Sequence, residues 1–600
     1  MNVRILGFAA GLALIAATTS AAAAPTAIVD GTTIIGAVSP SNSSVFEFFG
    51  IPYATAKRWA PPMTHASLGS TFNAADYTTV NACPQNSPVV VGTHTLPQSE
   101  DCLSLNVYRP SSASTTSKLP VYVFIHGGEL QLGSGVQYFP ISLVAANDIV
   151  VVTINYRLGA LGFLAQSALA ASKANTFQNV GDAGDYGLMD QQFALQWVKK
   201  NIAAFGGSSA KVTIGGQSAG GSSVLLNLVS PGASGLFRGA IVESGAHQLH
   251  NLTAQSAYET TYGNPYVNAV LAATGTVDDM NCSTMTTSSP ASKIAKCMGG
   301  ATLSTILTEQ QTVFGTFGIA PDTGTLIVPN GLEQALTAGD FPRIPVMIGS
   351  DLNEGRYFEP GEIPFATGFS TVVAAGGPAN YDLANVNSFC GGVKCTYQQE
   401  VNLFLTNLGI PSADNTTTFD KTLANTDYKL ANYPDQYLTA SAPTADAGLA
   451  QIGTDYTFAC NALDATTDLA GFSTVYAYEL QDALAPPTLS SPALTASPND
   501  QYGYATASEH GSELQFLFLF PFTGDLSADE QQLEATMQSY WGNFIKSGNP
   551  HVGATVPAWP AFGTKGDVLK LVPGPTSPSA FTTFGKEHFC TVWEPIISAE

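Results

Sequence analysis

The chain has 600 residues, with 22 Lys+Arg against 45 Asp+Glu, and its formal charge of −23 repels phosphate backbones. No basic tract offsets that charge, so nucleic acid is excluded as a partner. Hydrophobic residues make up 45% and charged ones only 11%, which excludes an extended disordered polymer and supplies a large core.

The first residues, MNVRILGFAAGLALIAATTSAAAAP, set Arg4 ahead of an apolar stretch from Ile5 to about Ala17, with small residues following before Pro25. This is the layout of a secretory signal peptide, residues 1–24, cut between Ala22 and Ala24. The stretch is shorter than the roughly 20 residues a spanning helix needs, so stable membrane insertion is not expected. Residues 25–600 show no linker or charge run that separates two bodies, and they read as a single domain of a secreted, extracellular protein. Oligomeric state has no signature in the sequence.

Export turns the 8 cysteines into disulfide candidates. Proximity suggests Cys83 with Cys102, Cys282 with Cys297 and Cys390 with Cys395, which leaves Cys460 with Cys590 to close a long loop. Eight cysteines allow 105 pairings, and sequence alone does not choose. No cysteine pair has the tight two-residue gap of a zinc site, so no metal is expected. Asn42, Asn251, Asn281 and Asn415 head Asn-x-Ser/Thr triplets and are candidate glycosylation sites.

Apolar and β-branched runs then alternate with helical patterns, the rhythm of an α/β sheet with crossover helices. Strands are expected at Leu119–Ile125, Ile149–Asn155, Lys211–Gly215, Gly239–Glu243, Pro345–Gly349 and Thr474–Leu480. Met189–Ala203 repeats apolar residues at helical spacing and stops at Phe205-Gly206-Gly207. Stretches 269–324 and 370–471 mix helical patterns with loops and are long enough to cap the sheet, while 484–500, rich in proline, serine and threonine, reads as an exposed loop.

Within this order, Lys211 to Ser223 (KVTIGGQSAGGSS) runs a strand into Gly216-Gln217-Ser218-Ala219-Gly220 and on into a helix. That is a nucleophile elbow, whose sharp turn tolerates only glycine around the serine and sets its hydroxyl at a helix N-terminus. A serine hydroxyl needs a base to take its proton, and in this arrangement acid and histidine follow the nucleophile in that order. His510, in SEHGSELQFLFLFP, is a histidine in a polar loop backed by an apolar run; His551 lies in a turn and His588 beside Cys590. After the strand at 345–349 come Asp351 and Glu354, and Glu354 is preferred because Gly355 would permit a tight turn towards the histidine. The strand Leu119–Ile125 runs into His126-Gly127-Gly128-Glu129, a glycine-bearing loop whose amides suit an oxyanion, with the amide of Ala219 as a further donor.

Taken with FFGIPYA (48–54), SEDCLSLNVYRP (99–110), NYRLGALGF (155–163), YGLMDQQFALQWVKKNIAAFGG (186–207) and YWGNFIKSGNP (540–550), the chain resembles the type B carboxylesterase/lipase family. The resemblance implies an α/β-hydrolase fold, a large and mostly parallel sheet flanked by helices with cap insertions. It also implies the Ser218, Glu354, His510 triad, oxyanion donors at Gly128, Glu129 and Ala219, a bridge between Cys83 and Cys102, and one between Cys460 and Cys590. Two positions depart from the family pattern: Glu129 stands at a usual glycine, and Gln217 at a usual glutamate. The second removes a negative charge beside the imidazolium and weakens any case for a cationic ester.

The 18 residues between Cys83 and Cys102 contain no Phe, Tyr or Trp, so that loop offers no ring face to a cation. Phe314 and Phe317 are candidate walls of an acyl pocket. The expected activity is hydrolysis of neutral, largely apolar esters through an acyl-enzyme, with a small-molecule or lipid ester as the partner and no cofactor. A lipase or sterol esterase acting at an interface is the alternative; a non-catalytic adhesion ectodomain on the same fold is a remote one.

Overall fold

The run Leu119–Ile125 (LPVYVFI) buries its last five side chains completely, as a strand covered on both faces must. In the computed structural model, which describes residues 24–170, 184–250, 252–315, 319–357, 451, 453–482, 485, 508–520, 526–553, 556–563, 565–574 and 578–597, it lies inside an 11-stranded sheet. Nearly all of the proposed signal peptide, Asn251, Phe317, Cys390, Cys395, Asn415, and most of 370–471 and 484–500 fall outside the described residues.

In chain order the strands are β1 (Ala37–Val38), β2 (Val45–Pro52), β3 (Ser104–Pro110), β4 (Leu119–Ile125), β5 (Val150–Ile154), β6 (Gly207–Gln217), β7 (Gly239–Glu243), β8 (Val346–Asp351), β9 (Val475–Leu480), β10 (Val568–Leu571) and β11 (Ser579–Phe581). They lie side by side as β11-β10-β9-β8-β7-β6-β4-β5-β3-β2-β1, parallel from β5 to β10 and antiparallel at both margins. All six expected strands are present. Lys211–Gly215 is part of a longer strand, because β6 reaches back to Gly207 to pair with Leu119.

The two faces of β4 separate two cores. Val121, Val123 and Ile125 pack with α1 (Tyr186–Asn201) and α2 (Ala219–Val229), and Tyr122 and Phe124 pack with the long helix over Ala528–Ser547. That long helix begins on a capping box, Ser527 with Glu530, and ends at Gly548 with φ 76°. The helix expected over Met189–Ala203 starts three residues earlier, after Asp185, and closes in a 3₁₀ turn, Ile202–Phe205, stopped by Gly206 at φ 87°. The first cap stretch opens inside a helix, Asn264–Ala273, and holds two more, Ala291–Gly300 and Leu303–Phe314.

Bridges join Cys83 to Cys102, Cys282 to Cys297 and Cys460 to Cys590. The last closes a span of 130 residues, which in the chain-entropy picture removes about 5 kcal/mol of unfolded-state freedom. Among the described residues no helix is long and apolar enough to cross a membrane, and no cluster of three or more His, Cys, Asp or Glu is placed to hold a metal ion.

His588, beside Cys590, is shielded from solvent. It lies buried with Nδ1 2.6 Å from Asp455 and Nε2 2.6 Å from Glu479, both of them buried as well. Burial disfavours its charge, but the two carboxylates overcome that and push its pKa up to about 10. Because the folded pKa exceeds the unfolded one, this contribution is complete below about pH 6.5 and is lost as pH rises towards about 10. His588→Leu is expected to cost about 3–5 kcal/mol at pH 7, since it removes the cation between two buried carboxylates. Urea denaturation at pH 7 and pH 10 checks it: the gap between parent and variant must narrow at the higher pH, and a gap independent of pH would refute the ion-pair account.

Candidate active site

The register aligns the carboxyl ends of the parallel strands: Ile125 lies beside Gly216, Gln217 beside Glu243, Glu243 beside Gly349, and Asp351 beside Leu480. Loops leaving those ends share one edge, where open α/β sheets place their ligands. Ser218 stands there between β6 and α2 with φ 58° and ψ −130°, a strained backbone for a residue with a side chain. Its N–H donates to Glu243 O at 2.8 Å, and its own carbonyl accepts from Ser222 N at 2.9 Å. The elbow glycines are required by backbone contact. A Cβ on Gly220 would sit 2.1 Å from Ile125 O, and one on Gly216 would sit 2.5 Å from the Gly220 carbonyl.

The stretch 508–512 is stitched onto the end of β8. Asn353 N donates to Ser508 O at 2.9 Å, and Ser512 N donates to Asp351 Oδ2 at 2.9 Å. This presents His510 to Glu354, with Nδ1 2.5 Å from Oε2, while Glu354 Oε1 accepts the amide of Asp351 at 2.8 Å. Glu354 is fully buried and His510 is 4% exposed. A proton on Nδ1 shared with the carboxylate leaves Nε2 as an acceptor, the tautomer required of a base.

Nε2 lies 3.3 Å from Gln217 Nε2, one residue from Ser218, and the Cα of Gly511 turns towards the same amide. Burial lowers the pKa of His510, but Glu354, followed by Glu513 and Glu129, raises it more, and the net shift is upward.

The glycine turn that favoured Glu354 in the sequence is not what places its carboxylate. Gly355 takes no positive φ; Glu354–Tyr357 forms a 3₁₀ turn, and Gly355 N donates to Thr454 Oγ1 at 2.9 Å. Asp351, the reserve acid, supports the turn and faces Glu513, and burial with this neighbour raises its pKa well above the usual range. Trp541 Nε1 donates to Glu243 Oε1 at 2.6 Å beneath this layer.

The loop after β4 packs directly on the nucleophile, since a Cβ on Gly127 would lie 2.9 Å from Ser218 Cβ. Three successive residues take left-handed φ: Gly128 at 104°, Glu129 at 52° and Leu130 at 56°. The loop is pinned by Gln131 N and Leu132 N on Gly128 O and by Tyr156 Oη on His126 O at 2.7 Å. Among the described residues the amides of Gly128, Glu129 and Ala219 donate to no protein acceptor, which leaves them available to a bound ligand.

Phe314 packs in an aromatic cluster with Tyr258, Tyr262 and Tyr266, none of which is a triad residue. Sequence reasoning missed Phe458, whose ring centroid lies 4.7 Å from that of His510, and His247, 5.4 Å from Phe458. It missed Glu513 also, although a carboxylate opening the apolar run SELQFLFLF was a signal for it.

An elbow serine, an imidazole tied to a buried carboxylate and a loop of undonated amides, all at the carboxyl edge of this sheet, define a serine hydrolase of the α/β-hydrolase fold. Residues 23–593 match the model of the carboxylesterase family, and the chain belongs to that family. It is 29% identical to the cocaine esterase of Homo sapiens over 558 residues, 89% of this chain and 85% of that protein. It is 34% identical to the para-nitrobenzyl esterase of Bacillus subtilis over 326 residues, 53% of this chain and 61% of the other. The crystal structure of Aspergillus niger EstA superposes with a TM-score of 0.69 at 25% identity, covering 96% of this chain and 99% of that one.

Proposed function

We propose that this carboxylesterase hydrolyses neutral, largely apolar carboxylic esters through an acyl-enzyme, with Ser218 as nucleophile, His510 as base and Glu354 as the acid that orients it. The observation that carries this reading is the 2.5 Å contact of His510 Nδ1 with Glu354, which leaves Nε2 directed at the elbow. Ser218 Oγ attacks the carbonyl carbon as its proton passes to His510 Nε2, and the amides of Gly128, Glu129 and Ala219 hold the oxyanion. His510 then protonates the leaving alcohol, and water repeats the attack to release the acid. The route draws on no metal or organic cofactor.

The 83–102 loop, built around a short hairpin, Val90–Val91 with His94–Thr95, supports an esterase ahead of an interfacial lipase. The bridges support export after removal of residues 1–24. Asn281 is exposed and Asn42 half-buried, and both are open to glycosylation.

A fluorophosphonate should label the protein once, on the peptide holding Ser218, and labelling and loss of p-nitrophenyl butyrate turnover should advance together. Full inactivation with the label on another residue would overturn the assignment.

A further inference from the structure

Glu129 is held in the oxyanion loop at φ 52°, where a residue with a side chain is strained and glycine is not. Its carboxyl is therefore held, against the preference of its own backbone, within electrostatic reach of His510. Oε1 lies 3.8 Å from His247 Nε2, too far for either group to satisfy the other.

His247 is 1% exposed, and neither ring nitrogen completes a hydrogen bond among the described residues, although the Ser244 backbone lies near the ring. Phe458 packs against both this ring and that of His510, which ties the pair to the catalytic edge. A buried imidazole with open valences is costly unless a ligand completes them.

We propose that Glu129 and His247 form a polar subsite that recognises a neutral hydroxyl carried close to the scissile carbonyl of the ester. The proposal rests on the ester hydrolase reading above and deepens it. A hydroxyl both donates and accepts, and so serves a carboxyl and an imidazole at once. Charged groups are disfavoured: burial pushes Glu129 up to about 7 and His247 down to about 3, so the surroundings oppose a cation, and an anion would meet the carboxylate.

The test compares kcat/KM for phenyl 3-hydroxybutyrate with phenyl butyrate, and for 2-hydroxyethyl butyrate with ethyl butyrate, each divided by its alkaline hydrolysis rate. The first pair carries the hydroxyl on the acyl group, the second on the alcohol. At least one pair should favour the hydroxylated ester by about tenfold or more, because a site built around a hydroxyl discriminates against its absence. His247→Phe should bring that ratio to about one.

Ratios near one in both pairs, or a preference that survives both His247→Phe and Glu129→Gly, would overturn the subsite. The wild-type ratio needs no variant, so misfolding of a variant leaves the test standing. Equal turnover of the two members sinks the subsite alone, whereas turnover of neither sinks the esterase reading.

Discussion

Ser218→Ala is expected to lower kcat for p-nitrophenyl butyrate by roughly 10⁶-fold, the scale found when the nucleophile of such a triad is removed. The loss should fall on chemistry and not on folding. Ser218 is 5% exposed, its side chain caps no helix amide, and its backbone bonds to Glu243 and Ser222 do not involve the hydroxyl. Alanine removes one oxygen and meets the same strain at φ 58° as serine does. Circular dichroism and the melting temperature should therefore match the parent within error. Turnover within about tenfold of the parent would remove Ser218 from the mechanism.

The second large effect concerns the acid. Glu354→Gln is expected to reduce kcat by about 10⁴-fold, because an amide donating to Nδ1 stabilises the tautomer with its proton on Nε2, which cannot accept from Ser218. The variant also loses the charge that raises the pKa of His510 most among its favourable partners. Activity requires the neutral imidazole, so the acidic limb of kcat/KM follows that pKa and should move to lower pH in the variant. An unchanged limb would mean that Glu513 and Glu129, not Glu354, hold the proton on the ring. A loss below about tenfold would pass the acid role to another carboxylate.

How much of this was legible depends on how local the causes are. Ser218 was readable because its elbow forbids side chains at Gly216 and Gly220, a constraint within five residues of chain. The strand Gly239–Glu243 was readable to the residue, since all five positions are buried and leave no polar alternation to blur its ends. The start of β6 was not, because Ser208 and Ser209 belong to the sheet only through pairing that reaches back to Leu119.

Contacts between distant segments that no motif announces escaped. Gln217 was read as an absent charge, whereas its amide touches the ring of a residue 293 positions away. For His588 the sequence showed only its place beside Cys590, and partners 133 and 109 positions off make it a buried cation. Glu129 stood out as a departure from a usual glycine, but its neighbour His247 sits in GAHQLH, where no spacing or pattern marks it.

The Cys460–Cys590 bridge encloses the stretch that carries His510. A protease that nicks the backbone once anywhere inside that enclosure yields two pieces which sulfur still holds together. Such material would run as one band on a gel without thiol and as two with it. Nicked enzyme would thus pass unnoticed as intact protein until it is reduced.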